Sequence, residues 1–452
     1  MISPLTGFWF RALIFAALLL TGARADQDSS TNAPASVPPV NALVATAAPT
    51  NAPPARPPMD AKKLVNKLVY QIEPCVFGTN EFPTGAFQQD AMVQAVLGPV
   101  TVATTFYNEK FEQVKSAAMP GRYGAVVRAT LADGTTKTYF ITLYRVPDGA
   151  ATQTVNVGKY SIPIETGTSP DVAARQQAEI AIALKGVIGG DSGPVGFGLL
   201  LGVAKVMPGI TPDQLLSSFM TYMAREDAWW FDLRKRLGLE ESYNYETDLP
   251  EGYEADATKH WPLILFLHGS GDRGIEVPSV AFHGLPKFLT PGTKLPAVLI
   301  SPRCPDEWWS APVLGKLLDD VSAKYRIDPD RISVTGASMG GFGTWALAEA
   351  YPGRFSAIAP ICGGGNPAGA ASLTKLPIWT FHGMLDTTVP VFLTRNMVAA
   401  LQKAGGTPHF TIYPTTKHDA WKQAYTTDAL FTWMLAQQRG QPEVKTPGLP
   451  EP

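Results

Sequence analysis

The chain has 452 residues, 45% of them hydrophobic and 17% charged. That is ample apolar material for a packed core, and more length than one domain usually holds. The formal net charge of −2 excludes a surface built to gather nucleic acid by electrostatics, and three cysteines with no C-x-x-C pair exclude a disulfide framework or a cysteine metal site.

Residues 1–25 read as an export signal. Arg11 precedes the apolar run 12–20, and Ala23-Arg24-Ala25 places small residues at the two positions a signal peptidase reads. The run is far shorter than the roughly 20 residues that span a bilayer, so no membrane insertion is expected once the signal is removed. The expected location is secreted or periplasmic. Residues 26–60 are rich in Ala, Pro, Thr and Asn without hydrophobic periodicity, which predicts a disordered linker.

Residues 61–147 carry β-branched and aromatic runs at 100–107, 125–131 and 138–144, with Asp133-Gly134 as a hairpin turn between the last two. They predict a small β-rich, sandwich-like module whose composition points to no chemistry. Residues 148–245 predict a helical connector. Apolar residues recur at helical spacing over 172–188 and 215–237, and Thr211-Pro212-Asp213 is a helix start.

Over 246–440 the pattern becomes alternating strands and helices. Short apolar runs at 262–267, 297–301, 332–335, 357–361, 378–381 and 410–413 lack polar alternation, as in strands buried on both faces of a parallel sheet. Residues 313–325, 341–351, 391–404 and 421–436 suit helices. The fold class is α/β, a doubly wound and mostly parallel sheet preceded by the β-rich module and the helical segment. Residues 441–452 form a Pro-rich flexible tail.

Gly336-Ala337-Ser338-Met339-Gly340 falls between a predicted strand and a predicted helix. A serine on that sharp turn presents its hydroxyl above the sheet, and the following amide, of Met339, faces a substrate oxyanion. A hydroxyl needs a base to attack, and the base needs an orienting acid. His418 lies in the polar loop after the last strand, where that base belongs. Asp386 lies beyond the strand 378–381 and supplies the acid, with Asp419 as its rival. His409 opens a strand and reads as structural, and His382 ends the strand ahead of Asp386. The turn Leu267-His268-Gly269-Ser270-Gly271 offers a second oxyanion donor from Ser270 or Gly269. Trp308 and Trp309 follow a strand end and suit either substrate contact or core. Gly190-Asp191-Ser192-Gly193-Pro194 imitates a protease nucleophile loop but lacks a preceding histidine.

The segment 262–438 resembles the α/β-hydrolase superfamily, in its phospholipase/carboxylesterase and dienelactone-hydrolase-like branch. The resemblance rests on Leu267-His268-Gly269, Asp328-Pro329-Asp330-Arg331-Ile332, Gly336 to Gly341, His382-Gly383 with Asp386, and Lys417-His418. It is similar to secreted proteins called predicted peptidases and to feruloyl or acetylxylan esterase-like enzymes. Dienelactone hydrolase itself has a cysteine nucleophile where this chain has Ser338, so that activity is not implied. The expectation is a serine hydrolase of carboxylic esters acting through an acyl-enzyme, with Ser338, His418 and Asp386 and no cofactor or metal. The expected substrate is a small-molecule or polysaccharide-linked ester. A serine peptidase with the same triad is the alternative within the class, and a non-catalytic binding scaffold the alternative outside it.

Overall fold

The computed structural model describes residues 68, 70–72, 76–87, 97–148, 152–157, 160–165, 212–240, 242–272, 285, 294–305 and 308–451. The described residues from Tyr70 to Phe87 and from Pro99 onward belong to one compact unit. The expected export signal, linker, helix 172–188 and loop 190–194 lie outside the described residues.

The β-rich module contains β1 (Tyr70–Ile72), β2 (Val76–Phe77), β3 (Gly85–Phe87), β4 (Val100–Asn108), β5 (Gln113–Val114), β6 (Gly121–Leu131) and β7 (Thr136–Arg145). Five of these form a sheet in the order β2-β7-β6-β4-β5, and β1 pairs with β3 separately. The β6–β7 hairpin turns at Asp133-Gly134. Gly134 has φ 83°, and Asp133 Oδ1 accepts the Thr135 N–H at 2.8 Å. β8 (Thr152–Val157) and β9 (Tyr160–Glu165) make an antiparallel hairpin. This corrects the helical reading at the start of the connector, where Thr154-Val155-Asn156-Val157 alternates polar and apolar residues with the period of a strand.

Helix α1 (Pro212–Arg236) covers one face of the five-stranded sheet. Trp230 and Leu233 pack there against Val126, with Phe140 and Trp229 beside them. Ile72, Phe77, Tyr123, Val127 and Leu143 fill the opposite face. One layer of the expected sandwich is therefore a helix. Arg122 anchors it, donating from Nε and Nη2 to the two carboxylate oxygens of Glu226, each at 2.7 Å. Trp230 Nε1 donates to the same carboxylate at 2.8 Å. The α1 helix also reaches the next sheet's helices: Asn366 Nδ2 donates to Thr221 Oγ1 at 2.8 Å, and the Ala311 N–H donates to Asp227 at 3.1 Å.

The second sheet has seven strands: β10 (Tyr245–Asp248), β11 (Trp261–Leu267), β12 (Val298–Pro302), β13 (Ile327–Ala337), β14 (Ala357–Ile361), β15 (Trp379–Gly383) and β16 (His409–Tyr413). Their order is β10-β12-β11-β13-β14-β15-β16. Only β10 runs antiparallel, against β12. Helices α2 (Ala311–Lys324), α3 (Met339–Ala350), α4 (Phe392–Lys403), α5 (Trp421–Ala424) and α6 (Asp428–Ala436) complete the layers. Leu263, Leu265 and Leu267 of β11 face a core with Leu317 of α2, Trp345 of α3 and Met397 of α4. Ile264 and Phe266 face the other core, with Ala424, Leu430 and Trp433. This alternation within an unbroken apolar strand is what burial on both faces requires. The fold is a doubly wound α/β sheet beside a β-rich module. The helix expected over 421–436 is two helices, because the buried Tyr425 turns its hydroxyl to Thr335 Oγ1 at 3.0 Å and Thr427 is extended.

Candidate active site

The site gathers at the C-terminal ends of β11, β13, β15 and β16, the edge where open α/β sheets bind ligands. β13 ends at Ala337 and α3 begins at Met339, so Ser338 alone makes the turn. Its backbone holds φ 56° and ψ −116°. The Ser338 N–H donates to Ile361 O at 2.9 Å, pinning the turn to β14. The glycines around it are demanded by close approach. A Cβ on Gly340 would overlap the Leu267 carbonyl, and one on Gly336 would overlap Gly340 itself.

His418 lies between β16 and α5. Its Nε2 is 2.8 Å from Ser338 Oγ, and its Nδ1 is 2.6 Å from Asp386 Oδ2. Two backbone features bring the loops together. The Leu385 N–H donates to Thr416 O at 3.0 Å, and Gly383 packs its bare Cα against the carbonyls of Thr416 and Lys417. Asp386 is 7% exposed. Its Oδ1 accepts the N–H groups of Thr388 and Val389, both at 2.9 Å. Burial acts to raise its carboxyl pKa, but hydrogen bonds from His382 and His418 outweigh that and hold it well below the usual carboxylate range. It is therefore an anion. Asp419, the rival acid, pairs with Lys422 Nζ at 3.1 Å near solvent. His409 is buried on β16, with Nε2 2.9 Å from Glu443 Oε1; this bond and that of Trp433 Nε1 to the same carboxylate at 3.0 Å correct the expectation of a flexible tail over 441–452, which is tied to the sheet and α6.

Of the oxyanion candidates, Met339 follows Ser338 directly in the chain and Gly269 packs against its turn. Met339 opens α3, where first-turn amides lack partners within the helix. Gly269 lies against the turn: a Cβ on it would stand 3.6 Å from Ser338 Cβ. Ser270 begins a short 3-10 turn, Ser270–Asp272. His268 holds this loop in place. Its Nε2 accepts the Cys304 N–H at 3.0 Å, which leaves Nδ1 to donate to Gly269 O at 2.8 Å.

Trp309 is 5% exposed, and its Nε1 donates to His268 O at 3.1 Å. Its ring also lies over Gly343. Of the two readings left open for it, its burial fits core behind the glycine turn and not a substrate contact. Trp308 is partly exposed and meets Phe342 edge-on at 5.7 Å. Sequence reasoning missed Phe342 and Trp421; the latter stands edge-on to His418 at 5.2 Å. It also missed Met384 and Leu385, exposed by 39% and 50% on the loop into Asp386. A cleft of ≈ 720 Å³ opens beside His418, lined by Thr416, Lys417, Lys422 and Gln423 among others.

Cys304 and Cys362 are buried free thiols. Cys362, His382 and Asp386 place ligand-type atoms within 4.8 Å of one another. The His382 nitrogens and Asp386 oxygens are already hydrogen-bonded within the protein, and burial pushes the Cys362 thiol up to about 12. That donor set favours a hydrogen-bond node over a cation.

Residues 309–430 match the family described as Phospholipase/Carboxylesterase. Over these residues the chain is similar to that family, and the parallel sheet with its sharp turn at Ser338 has the α/β-hydrolase arrangement. Two curated relatives align with parts of the chain. Poly(3-hydroxyalkanoate) depolymerase C of Paucimonas lemoignei is 45% identical over 51 residues, 11% of this chain and 12% of its own. Probable feruloyl esterase C of Aspergillus terreus is 28% identical over 160 residues, 32% of this chain and 56% of its own. The chain thus spans about an eighth of the first and just over half of the second. A thermostable esterase of known structure superimposes with a TM-score of 0.40 at 20% identity, covering 73% of this chain and 74% of its own.

Proposed function

We propose that the chain is an exported serine hydrolase of carboxylic esters, with Ser338 as nucleophile, His418 as base and Asp386 as orienting acid. The observation that carries this reading is the unbroken hydrogen-bond chain from Ser338 Oγ through both nitrogens of His418 to an ionised Asp386. Ser338 Oγ attacks the acyl carbon while its proton passes to His418 Nε2. Asp386 Oδ2 fixes the tautomer and stabilises the imidazolium. The oxyanion rests on the amides of Met339 and of Ser270 or Gly269. Collapse expels the alcohol, which takes the proton from Nε2. Water then attacks the acyl-serine by the same route and releases the acid.

Trp421 stands edge-on to His418, and Phe342, four residues after Ser338, meets Trp308 edge-on; aromatic neighbours of this kind suit an acyl group with a flat ring. The names of the two relatives, for feruloyl ester hydrolysis and poly(3-hydroxyalkanoate) depolymerisation, support an ester over an amide. Polysaccharide-linked or small-molecule hydroxycinnamoyl esters are the preferred substrates. Arg11 and the apolar run 12–20 support export.

The test is a panel of p-nitrophenyl, feruloyl, acetyl-sugar and peptide substrates with wild type and Ser338→Ala. Ester turnover by wild type alone, with fluorophosphonate labelling at Ser338, is the expected result. Wild-type turnover by Ser338→Ala would remove the reading.

A further inference from the structure

The mechanism above makes no use of His382, which is wholly buried beside the Asp386 carboxylate. Its Nε2 lies 2.8 Å from Val389 O and 3.3 Å from Asp386 Oδ2. A carbonyl oxygen only accepts, so Nε2 carries a hydrogen and shares it between the two oxygens. That Oδ2 is the same atom that takes His418 Nδ1–H at 2.6 Å. One carboxylate oxygen therefore receives two imidazole N–H groups. The other side of the His382 ring is fixed as well. Its Nδ1 is 2.7 Å from Thr394 Oγ1 on α4, and that hydroxyl is 2.7 Å from Gly363 O beyond β14.

We propose that His382 is a positioning residue of the triad: its Nε2–H clamps Asp386 Oδ2 and shares the carboxylate charge, so that His418 stays aimed at Ser338. The inference rests on the ester-hydrolase reading. It adds α4, through Thr394, to the elements that determine where the base stands. The titratable groups around the carboxylate are His382 on β15, His418 before α5, Cys362 after β14 and, beside Cys362, Tyr413 on β16. Burial keeps the Cys362 thiol and the Tyr413 phenol neutral, each pushed up to about 12, so neither brings a charge to the site; Asp386 takes the two imidazole N–H groups on Oδ2 and the Thr388 and Val389 N–H groups on Oδ1.

The test compares His382→Phe, His382→Gln and wild type as full chains, on whichever p-nitrophenyl ester wild type hydrolyses best. Losing a hydrogen bond to a charged group predicts a kcat fall of roughly ten- to hundredfold in His382→Phe, with KM within about twofold. The acid limb of its kcat/KM profile moves to higher pH, because Asp386 then gives its whole charge to His418. His382→Gln places an amide N–H near the former Nε2 and recovers most of kcat. A kcat for His382→Phe equal to wild type overturns the proposal. So does a fall shared equally by both variants with no movement of the acid limb, which marks a purely structural residue. If His382→Phe fails to fold, Thr394→Val carries the test: a smaller kcat loss with the same pH shift supports the clamp, and an unchanged kcat overturns it. A wild-type chain that neither hydrolyses esters nor labels at Ser338 refutes the parent reading instead.

Discussion

Gly340 sits so close beneath β11 that any side chain on it would overlap the carbonyl of Leu267. The contact fastens the start of α3 to the strand that carries the glycine turn, and so keeps Ser338 beside Gly269. Gly340→Ala must push the helix off the strand. Overpacking of this kind costs about 1–3 kcal/mol or more. We expect lowered thermal stability together with loss of fluorophosphonate labelling, read by melting curves and by mass spectrometry of the Ser338 peptide. Unchanged labelling would show that the turn tolerates the shift.

The two acids near His418 are separable by mutation. Asp386→Asn keeps the shape but supplies an N–H or a neutral oxygen where the imidazolium needs an anion, so turnover should fall by about 10⁴. Asp419→Asn disturbs only an exposed pair with Lys422, so turnover should stay within about twofold. Steady-state kinetics on one ester decides between them. The reverse pattern would transfer the orienting role to Asp419.

Much of this geometry is legible in the residues themselves. The parallel strands announce themselves because burial on both faces leaves no room for polar alternation, as in Leu263 to Leu267. The turn at Ser338 is legible because close backbone approach admits only glycine at Gly336 and Gly340. β10 is not legible: Tyr245-Glu246-Thr247-Asp248 is short and polar, and only its pairing with β12 makes it a strand. Trp308 and Trp309 are the same residue type side by side, and nothing local tells which turns inward. His382 is hidden for a related reason, since its partners Val389 and Thr394 lie in a different loop and helix. The break between α5 and α6 is hidden because apolar spacing continues across it.

Glu349 of α3 carries a pH dependence of its own. Burial pushes its carboxyl up to about 8, and the Asn366 N–H at 2.7 Å opposes this only in part. A carboxyl with a raised folded pKa binds its proton more tightly when folded. Its stabilisation is complete below its unfolded value of about 4.3 and is lost as pH rises toward the folded value. Between about pH 5 and about pH 8.5 the chain should lose stability on the order of a few kcal/mol through this group. Glu349→Gln keeps an acceptor for Asn366 and should flatten that slope in urea unfolding. An equal slope in the variant would place the dependence elsewhere.

Arg122 and Glu226 hold the β-rich module to α1 with side chains 10% and 1% exposed. Removing one partner strands a buried charge, so Arg122→Leu should cost about 3–5 kcal/mol. It also loses the stacking of the guanidinium 3.7 Å over Trp229. Replacing both partners with leucine should cost less than either single change. A double-mutant cycle by chemical unfolding measures this; additivity of the two single changes would mean the pair is not coupled.

Ser338 is an L-residue in backbone that favours glycine. Such a conformation costs about 1–3 kcal/mol, and glycine there would be relieved of it. With Ser338 in the nucleophile role proposed above, selection for durability and selection for reactivity pull this one codon in opposite directions. A lineage freed from the need to cleave its substrate would be expected to drift to glycine at 338, gaining stability as it lost its chemistry.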